Sequence, residues 1–517
     1  MKIFDPILTC EQAQNLEDRI IGVSDADSFA AMTRAGTGVS KMFLEEFGAM
    51  LPRSPQILAL VGNGHNGGDA LIALKGICQK FPDAKICIAY AGVDKLKKNT
   101  KRAFANLLNS LPEKSVETVN SDYLSQVAER RFDLLIDGIA GMSFRPPARQ
   151  SMVEEIETAN KIDAKIRISM DIPSGASITP QKPVFRADAT YAAGICKDVI
   201  FAPFNKEFVG RIRYVDVGFF DNENYFEKYA KEKYFITRAD ALSFMNELRP
   251  AISDKRSYGH LFIIAGSRSF PGAALLATRA ALRAGVGLVT SFVPETLAPS
   301  FAASEPSAIW VGCPEDENGA IALESLGLIR SKLKAATCIL AGSGITNSPE
   351  TRALVAEILK LTPDMPAVLD ADAICRELVS ILPQRNADAL LTPHEGEILR
   401  IAGDASNTKL LEACKKYKCA IALKSSATRV SDGEIIVRQV RGNPALARAG
   451  SGDILSGIAG SLMANKSFKF KNRPLCVGIC ASQCLGLAAE KAFAKFGETA
   501  IATSDIANFI PDALKGF

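Results

Sequence analysis

The chain reads as an α/β protein of two domains, on three observations. Short apolar runs of strand length alternate with longer segments of helical spacing from residue 56 onward. Most of these apolar runs end in a loop of glycine and polar residues, as parallel strands do where a sheet binds ligands. The length of 517 residues exceeds what one hydrophobic core usually supports.

Taken in order, residues 1–55 read as helical, with Thr9 placed to cap a helix opening at Cys10. The run QILALV, 56–61, reads as a buried strand, followed by the loop GNGHNGGD, 62–69, and a helix beginning ALIALKGICQ. Strand, glycine loop and helix form a nucleotide site in a doubly wound sheet. The loop is neither GxGxxG with a distant acidic residue nor a P-loop lysine motif, so ordinary dinucleotide binding is not indicated. Strands follow at 85–91, 133–136 and 166–170, the last two ending in DGIAG (137–141) and DIPSG (171–175). With these ends on one sheet edge, Asn66, Asp137 and Ser174 converge as hard oxygen ligands for an alkali or alkaline-earth ion. Asp171, and after it Asp69, are left for proton transfer or substrate contact, with loop capping as the alternative. Residues 220–240 are charged and aromatic with no glycine, which places a junction between domains 1–222 and 236–517.

The second half repeats the strand–loop–helix pattern at 259–265, 285–290, 337–340, 367–369, 389–391 and 420–423. Its last motif, GNPALARAGSGDILSGIAGSL (442–462), is a glycine loop running into an apolar helix. Loop amides and the positive helix end together make a phosphate site. Asp453 at that helix mouth reads as the base for a hydroxyl being phosphorylated, or as a helix cap. Lys424 lies near phosphate or is a solvated strand-end lysine, and His394 contacts ligand or is a hydrogen-bonded loop histidine.

Composition narrows the class. Hydrophobic residues at 47%, charged residues at 23% and a net charge of +4 imply no nucleic-acid or membrane role. The N-terminal segment carries charges throughout and no run of about 18 apolar residues occurs, so a cytoplasmic protein is expected. None of the 12 cysteines forms a CxxC pair. Cys476, Cys480 and Cys484 share a helix face and read as packing, and the cysteines are expected reduced and buried. With only His65, His260 and His394 present, a histidine-ligated zinc enzyme is disfavoured.

In this order the motifs resemble the family of bifunctional NAD(P)H-hydrate repair enzymes over roughly residues 5–515. The resemblance rests on GNGHNGGDA, DGIAG, DIPSG and ADATYAAGICK (187–197) in the first half. In the second it rests on GHLFIIAGSRSFPGAA (259–274), AGSG (341–344), LDADA (369–373), LTPHEGE (391–397), LKSSAT (423–428) and AGSGDILSG (449–457). It implies a Rossmann-like three-layer epimerase domain fused to a ribokinase-like, ADP-dependent dehydratase domain. Asn66, Asp137 and Ser174 match the family's potassium site. His65, Asn66, Gly67, Gly68 and Asp69, then Gly141, Met142, Ser143, Phe144, Arg145, Pro146 and Pro147, and Asp171 match its hydrated-nucleotide site. Ala273, Gly344, His394 and Asp453 match the dehydratase substrate site. Lys424, Ser425, Ser426, Ala427, Thr428 and Gly452 match its adenine-nucleotide site. The family usually has Asn where His65 stands and Gly where Ser425 stands. The implied substrates are hydrated NADH and NADPH (NADHX, NADPHX) and ADP, with magnesium, potassium and a homo-oligomer expected. A ribokinase-like small-molecule kinase with a non-catalytic N-terminal domain is the alternative.

Overall fold

The computed structural model describes residues 2–22, 24–112, 115–246 and 249–515. The chain divides into two compact units, Asp5–Glu232 and a second formed by Met1–Phe4 with Lys233–Phe517.

In the first unit, β1 (Phe4–Leu8) is followed by helices Cys10–Ile21 and Asp25–Phe47. Then come β2 (Gln56–Val61), β3 (Lys85–Tyr90), β4 (Val116–Asn120), β5 (Arg131–Gly138), β6 (Asp163–Met170), β7 (Ala189–Ala193), β8 (Cys196–Lys197) and β9 (Arg211–Val215). Seven strands form one parallel sheet in the order β4-β3-β2-β5-β6-β7-β9. Its side chains alternate as a strand covered on both faces requires. Ile57, Ala59 and Val61 enter a core with helices Asp25–Phe47 and His65–Lys80, while Leu58 and Leu60 enter one with helix Gln150–Lys161. These are the three expected layers. The chain winds outward from β2 to β4 and resumes at β5, so the topological switch lies between β2 and β5.

The opening segment is not wholly helical. Residues 4–8 form β1 because β8 pairs with it in parallel, Ile7 with Cys196 and Leu8 with Lys197. That partner lies far along the chain, and local spacing does not announce it. Thr9 does cap the next helix, exchanging bonds of 3.1 and 2.9 Å with Gln12.

The second unit contains β10 (Tyr234–Thr237), β11 (His260–Ile264), β12 (Leu288–Pro294), β13 (Ile309–Cys313), β14 (Cys338–Ala341) and β15 (Ala367–Leu369). β16 (Ala389–Leu391), β17 (Ala420–Leu423), β18 (Thr428–Ser431) and β19 (Ile436–Gln439) complete it. The sheet runs β13-β12-β11-β14-β15-β16-β17-β18-β19-β10, parallel except for the antiparallel β17-β18-β19 meander. Its switch point lies between β11 and β14. Leu261 and Ile263 pack on one face, with helices Pro271–Arg283, Ser451–Ala464 and Arg473–Phe496, and Phe262 and Ile264 on the other.

The small-residue face of Pro271–Arg283 is used inside this unit. A Cβ at Gly457 would lie 2.2 Å from the Ala277 carbonyl, so the two helices meet backbone to backbone. Helix Arg473–Phe496 is long and apolar enough to cross a membrane, but 78% of its apolar window is buried in the unit's core. Cys480 and Cys484 lie on it, buried. Among the described residues no disulfide forms, and nine of the twelve cysteines are buried, with Cys10, Cys375 and Cys476 half-buried.

Candidate active sites

In the first unit three loops meet at the switch. After β2, helix His65–Lys80 starts at the N-cap Gly64 with no side-chain cap. His65 to Asp69, expected as loop, form its first turn. Gly67 permits this, since a Cβ there would lie 2.1 Å from the Gly62 carbonyl. The uncapped amides of that turn are therefore offered at the switch. Desolvation, then Lys97, pushes the His65 pKa below its ordinary value.

After β5, Asp137 is fully buried. Ser174 donates Oγ–H to Oδ1 at 2.5 Å and N–H to Oδ2 at 2.8 Å. Ser169 Oγ–H adds 2.9 Å and the Ile139 amide 3.2 Å. Burial raises the Asp137 pKa against the pull of these donors. Among the described residues no lysine or arginine forms an ion pair with it. Asp137 and Ser174 thus come together as expected. The Asn66 carbonyl lies beside Gly138, the residue after Asp137, where a Cβ would come within 3.1 Å of it. Its side chain turns instead to Gly141, and Nδ2 is buried without a partner.

The 141–147 loop is a tight turn. Phe144 N–H bonds the Gly141 carbonyl at 3.0 Å, and Arg145 bonds the Met142 and Phe144 carbonyls at 2.8 and 2.9 Å. Met142 and Phe144 are half-buried, while Ser143, Arg145, Pro146 and Pro147 are exposed.

Asp171 and Asp69 are joined by two groups that reading the sequence missed. Lys197 ion-pairs Asp171 Oδ1 at 2.6 Å. It is the last residue of the 187–197 motif, so the signal was present without a role attached. Glu17, on helix Cys10–Ile21, has no motif around it. Burial pushes its pKa up to about 7, and burial with Asp171 and Glu17 as neighbours holds Asp69 well above the carboxylate range.

In the second unit, helix Ser451–Ala464 starts at Gly450, whose φ of 92° is left-handed, and no side chain caps it. Asp453 lies in the first turn and is not the cap. A Cβ on Gly452 would lie 3.1 Å from Lys424 Nζ, so the glycine loop and the 424–428 strand end meet. Lys424 donates to Asp370 Oδ1 at 2.9 Å and lies 3.8 Å from Glu397. Burial opposes its charge, but Asp370 and Glu397 outweigh that and raise its pKa. Lys424 is therefore a paired, half-buried cation and not a freely solvated one. Burial, then Asp370, pushes the Asp453 pKa up to about 6.

His394 caps helix Glu395–Ala402, its Nδ1 accepting from the Glu397 amide at 3.2 Å while its side chain stays 56% exposed. Gly344, at φ 71°, abuts Ala273, and a Cβ on it would meet the Ala273 Cβ at 2.8 Å. Ser425 and Ser426 are exposed, with Thr428 Oγ1 bonding the Ser425 carbonyl at 3.3 Å. Asp370 and Glu397 are the carboxylates missed here, though LDADA and HEGE contain them. Among the described residues no group of three or more His, Cys, Asp or Glu has the arrangement of a metal site.

Two family profiles match the chain, "YjeF-related protein N-terminus" over residues 28–199 and "NAD(P)H-hydrate dehydratase" over 261–512. The bifunctional NAD(P)H-hydrate repair enzyme of Moorella thermoacetica is 26% identical over 507 residues, covering 94% of this chain and 92% of the relative. That of Thermosynechococcus vestitus is 29% identical over 481 residues, covering 90% and 89%. The ADP/ATP-dependent NAD(P)H-hydrate dehydratase from Bacillus subtilis, solved with ATP/Mg2+, is similar at 25% identity and a TM-score of 0.46, covering 53% of this chain and 95% of that one.

Proposed function

We infer that this chain, which belongs to the family of bifunctional NAD(P)H-hydrate repair enzymes, returns hydrated nicotinamide cofactors to use. Its first unit epimerises R- and S-NAD(P)HX. Its second dehydrates the S epimer with ADP, releasing NAD(P)H, AMP and phosphate. The observation that carries the dehydratase reading is Asp453 in an uncapped first turn, with Gly452 against the carboxylate-paired Lys424.

In the second unit Asp453 takes the proton of the substrate hydroxyl, whose oxygen then attacks the terminal phosphorus of ADP as AMP leaves. The amides of the 450–453 turn and Lys424 face the charge that builds on the transferred group. The ring-nitrogen lone pair next expels phosphate, forming a C=N bond. Loss of a proton from the neighbouring carbon restores the ring double bond. Asp370 and Glu397 would supply carboxylate oxygens to a magnesium ion, in place of part of their contact with Lys424. When bound, magnesium neutralises phosphate charge. Ala273, Gly344 and His394 border the hydrated nucleotide, and Ser425 to Thr428 border the adenine nucleotide.

In the first unit Asp69 gives its proton to the hydroxyl, which leaves as water while the ring nitrogen forms C=N. Water adds to the other face and loses its proton to Asp171, giving the opposite epimer. The glycine turn at 65–69 and the 141–147 loop hold the dinucleotide. Asp137 with the Ser174, Ala140 and Asn66 oxygens offers a buried set of hard oxygen donors that suits potassium. When bound, potassium neutralises Asp137. We place the enzyme in the cytoplasm, and light scattering of the full chain tests the expected homo-oligomer.

The direct test mixes the protein with both epimers of hydrated NADH, ADP and magnesium and follows NADH absorbance. Full recovery with AMP and phosphate formed is expected. Recovery stopping at one epimer's share removes the epimerase. No recovery, with a stable phosphorylated product, puts a small-molecule kinase in its place.

A further inference from the structure

The reaction scheme leaves the buried ammonium of Lys197, in the first unit, without a task. Lys197 ends β8, where it is paired in register with Leu8, and its side chain is 1% exposed. Its ammonium donates to Asp171 Oδ1 at 2.6 Å and, less closely, to the Ala193 carbonyl at 3.4 Å. A dry ammonium is tolerated only when it is paired, and here the partner is one particular oxygen.

Asp171 is held from its other sides as well. Its backbone has the left-handed φ of 63°, uncommon for a residue with a side chain, and its amide donates to the Tyr191 carbonyl at 2.8 Å. Its free oxygen, Oδ2, lies on the Gly141 side. A Cβ on Gly141 would come 3.4 Å from Oδ2 and 3.1 Å from Asn66 Oδ1. Gly141 therefore leaves open the space that both oxygens face. The remaining ionisable groups around the pair are Cys10 and Glu17 on helix Cys10–Ile21, Asp69 on helix His65–Lys80, Asp198 after β8, and Arg145 on the 141–147 loop. Glu17, Asp69 and Asp171 thus share one nearby ammonium, and it touches only Asp171.

We propose that Lys197 is a positioning residue for epimerisation: it binds one oxygen of Asp171 and presents Oδ2 alone to the substrate. The proposal rests on the epimerase reading with Asp171 as the accepting base.

The test uses the full-length protein with Lys197→Met, Lys197→Gln and Lys197→Arg. Interconversion of R- and S-hydrated NADH is followed by chromatography from about pH 4 to about pH 9, a range in which protonation of a carboxylate base shows as an acid limb. Lys197→Met and Lys197→Gln are expected to lower kcat by about 100-fold. KM should stay within about threefold, and the acid limb of the profile should move to higher pH, because the base has lost its cation. Lys197→Arg should recover much of the rate and the original profile. ADP-dependent use of the S epimer by the same preparations should not change. Wild-type kcat in both neutral variants, or a lowered kcat with an unmoved profile in both, would overturn the proposal and leave the epimerase reading standing. Should Lys197→Met fail to fold, Lys197→Gln decides alone. A wild-type protein that interconverts no epimers overturns the reading and the proposal together.

Discussion

Asp453 must be ionised to act as a base, yet burial and the Asp370 charge hold its pKa up at about 6. Two consequences follow from the sign of that shift. The dehydratase kcat/KM should climb as pH rises through about 6 and level off above it. A flat profile across that range would remove Asp453 as the base. The second consequence concerns stability. The folded state binds this proton more tightly than the unfolded chain, where an aspartate titrates near 3.8. The stability that goes with the shift is therefore fully present below that value and lost as pH rises through about 6. The loss amounts to at most about 3 kcal/mol. Asp453→Asn removes the charge, so it should abolish dehydration and leave epimerisation intact. It should also unfold at higher denaturant than wild type at pH 8, and at the same denaturant near pH 4. An unchanged midpoint at pH 8 would mean that Asp453 is not held against its charge. Asp453 stood out in the sequence because it follows a glycine run into an apolar helix. Glu397 and Asp370 did not, because the ammonium of Lys424 that makes them a site arrives from another strand end.

The helix Ser451–Ala464 is buried along nearly its whole length and carries glycine or serine at four buried positions, Ser456, Gly457, Gly460 and Ser461, where another helix would carry bulk. Gly457 shows why. Replacing it with alanine gains about 1 kcal/mol of helix propensity. It also drives a methyl to within 2.2 Å of the Ala277 carbonyl, a backbone atom that cannot step aside without moving helix Pro271–Arg283. Overpacking of that kind costs about 1–3 kcal/mol or more, so the clash wins. Gly457→Ala should lower the denaturant midpoint of the second unit and its dehydratase kcat, with epimerisation unchanged. A variant as stable as wild type would show that the helices can part at no cost. At this scale the sequence is legible where periodicity is local. The apolar runs at 56–61, 367–369, 389–391 and 420–423 mark strands. It is less legible where a distant partner decides. β1 forms against a two-residue strand nearly 190 positions later, and β18 and β19 carry too few alternating residues to stand apart from their loops. The start of helix His65–Lys80 was hidden too, because asparagine and glycine usually mark a turn. Here Gly67 lets helical backbone press against Gly62.

At the scale of the whole molecule, the division of the chain is not a single cut. Residues 1–4 belong with the second unit although the rest of β1 belongs with the first. The reasons are local to the second unit. Ile3 is 3% exposed in its core, the Arg238 amide donates to the Ile3 carbonyl at 3.0 Å, and Phe4 meets Phe235 edge-on at 5.0 Å. The expected domain limit of 236 falls inside β10, and composition alone cannot reveal that the unit also recruits the far N-terminus. A fragment beginning at Lys233 should therefore keep its Asp453 chemistry but lose the burial of Ile3. Removing such a side chain costs about 2–5 kcal/mol when the site cannot collapse. Ile3→Ala in the full chain should show the same loss, read as the denaturant concentration at which ADP-dependent dehydration disappears. Epimerisation in Ile3→Ala should survive to the wild-type concentration, since Ile3 lies in the other unit's core. Equal midpoints for the fragment, Ile3→Ala and wild type would mean that residues 1–4 lie against the second unit without stabilising it, and that its boundary is Lys233 alone.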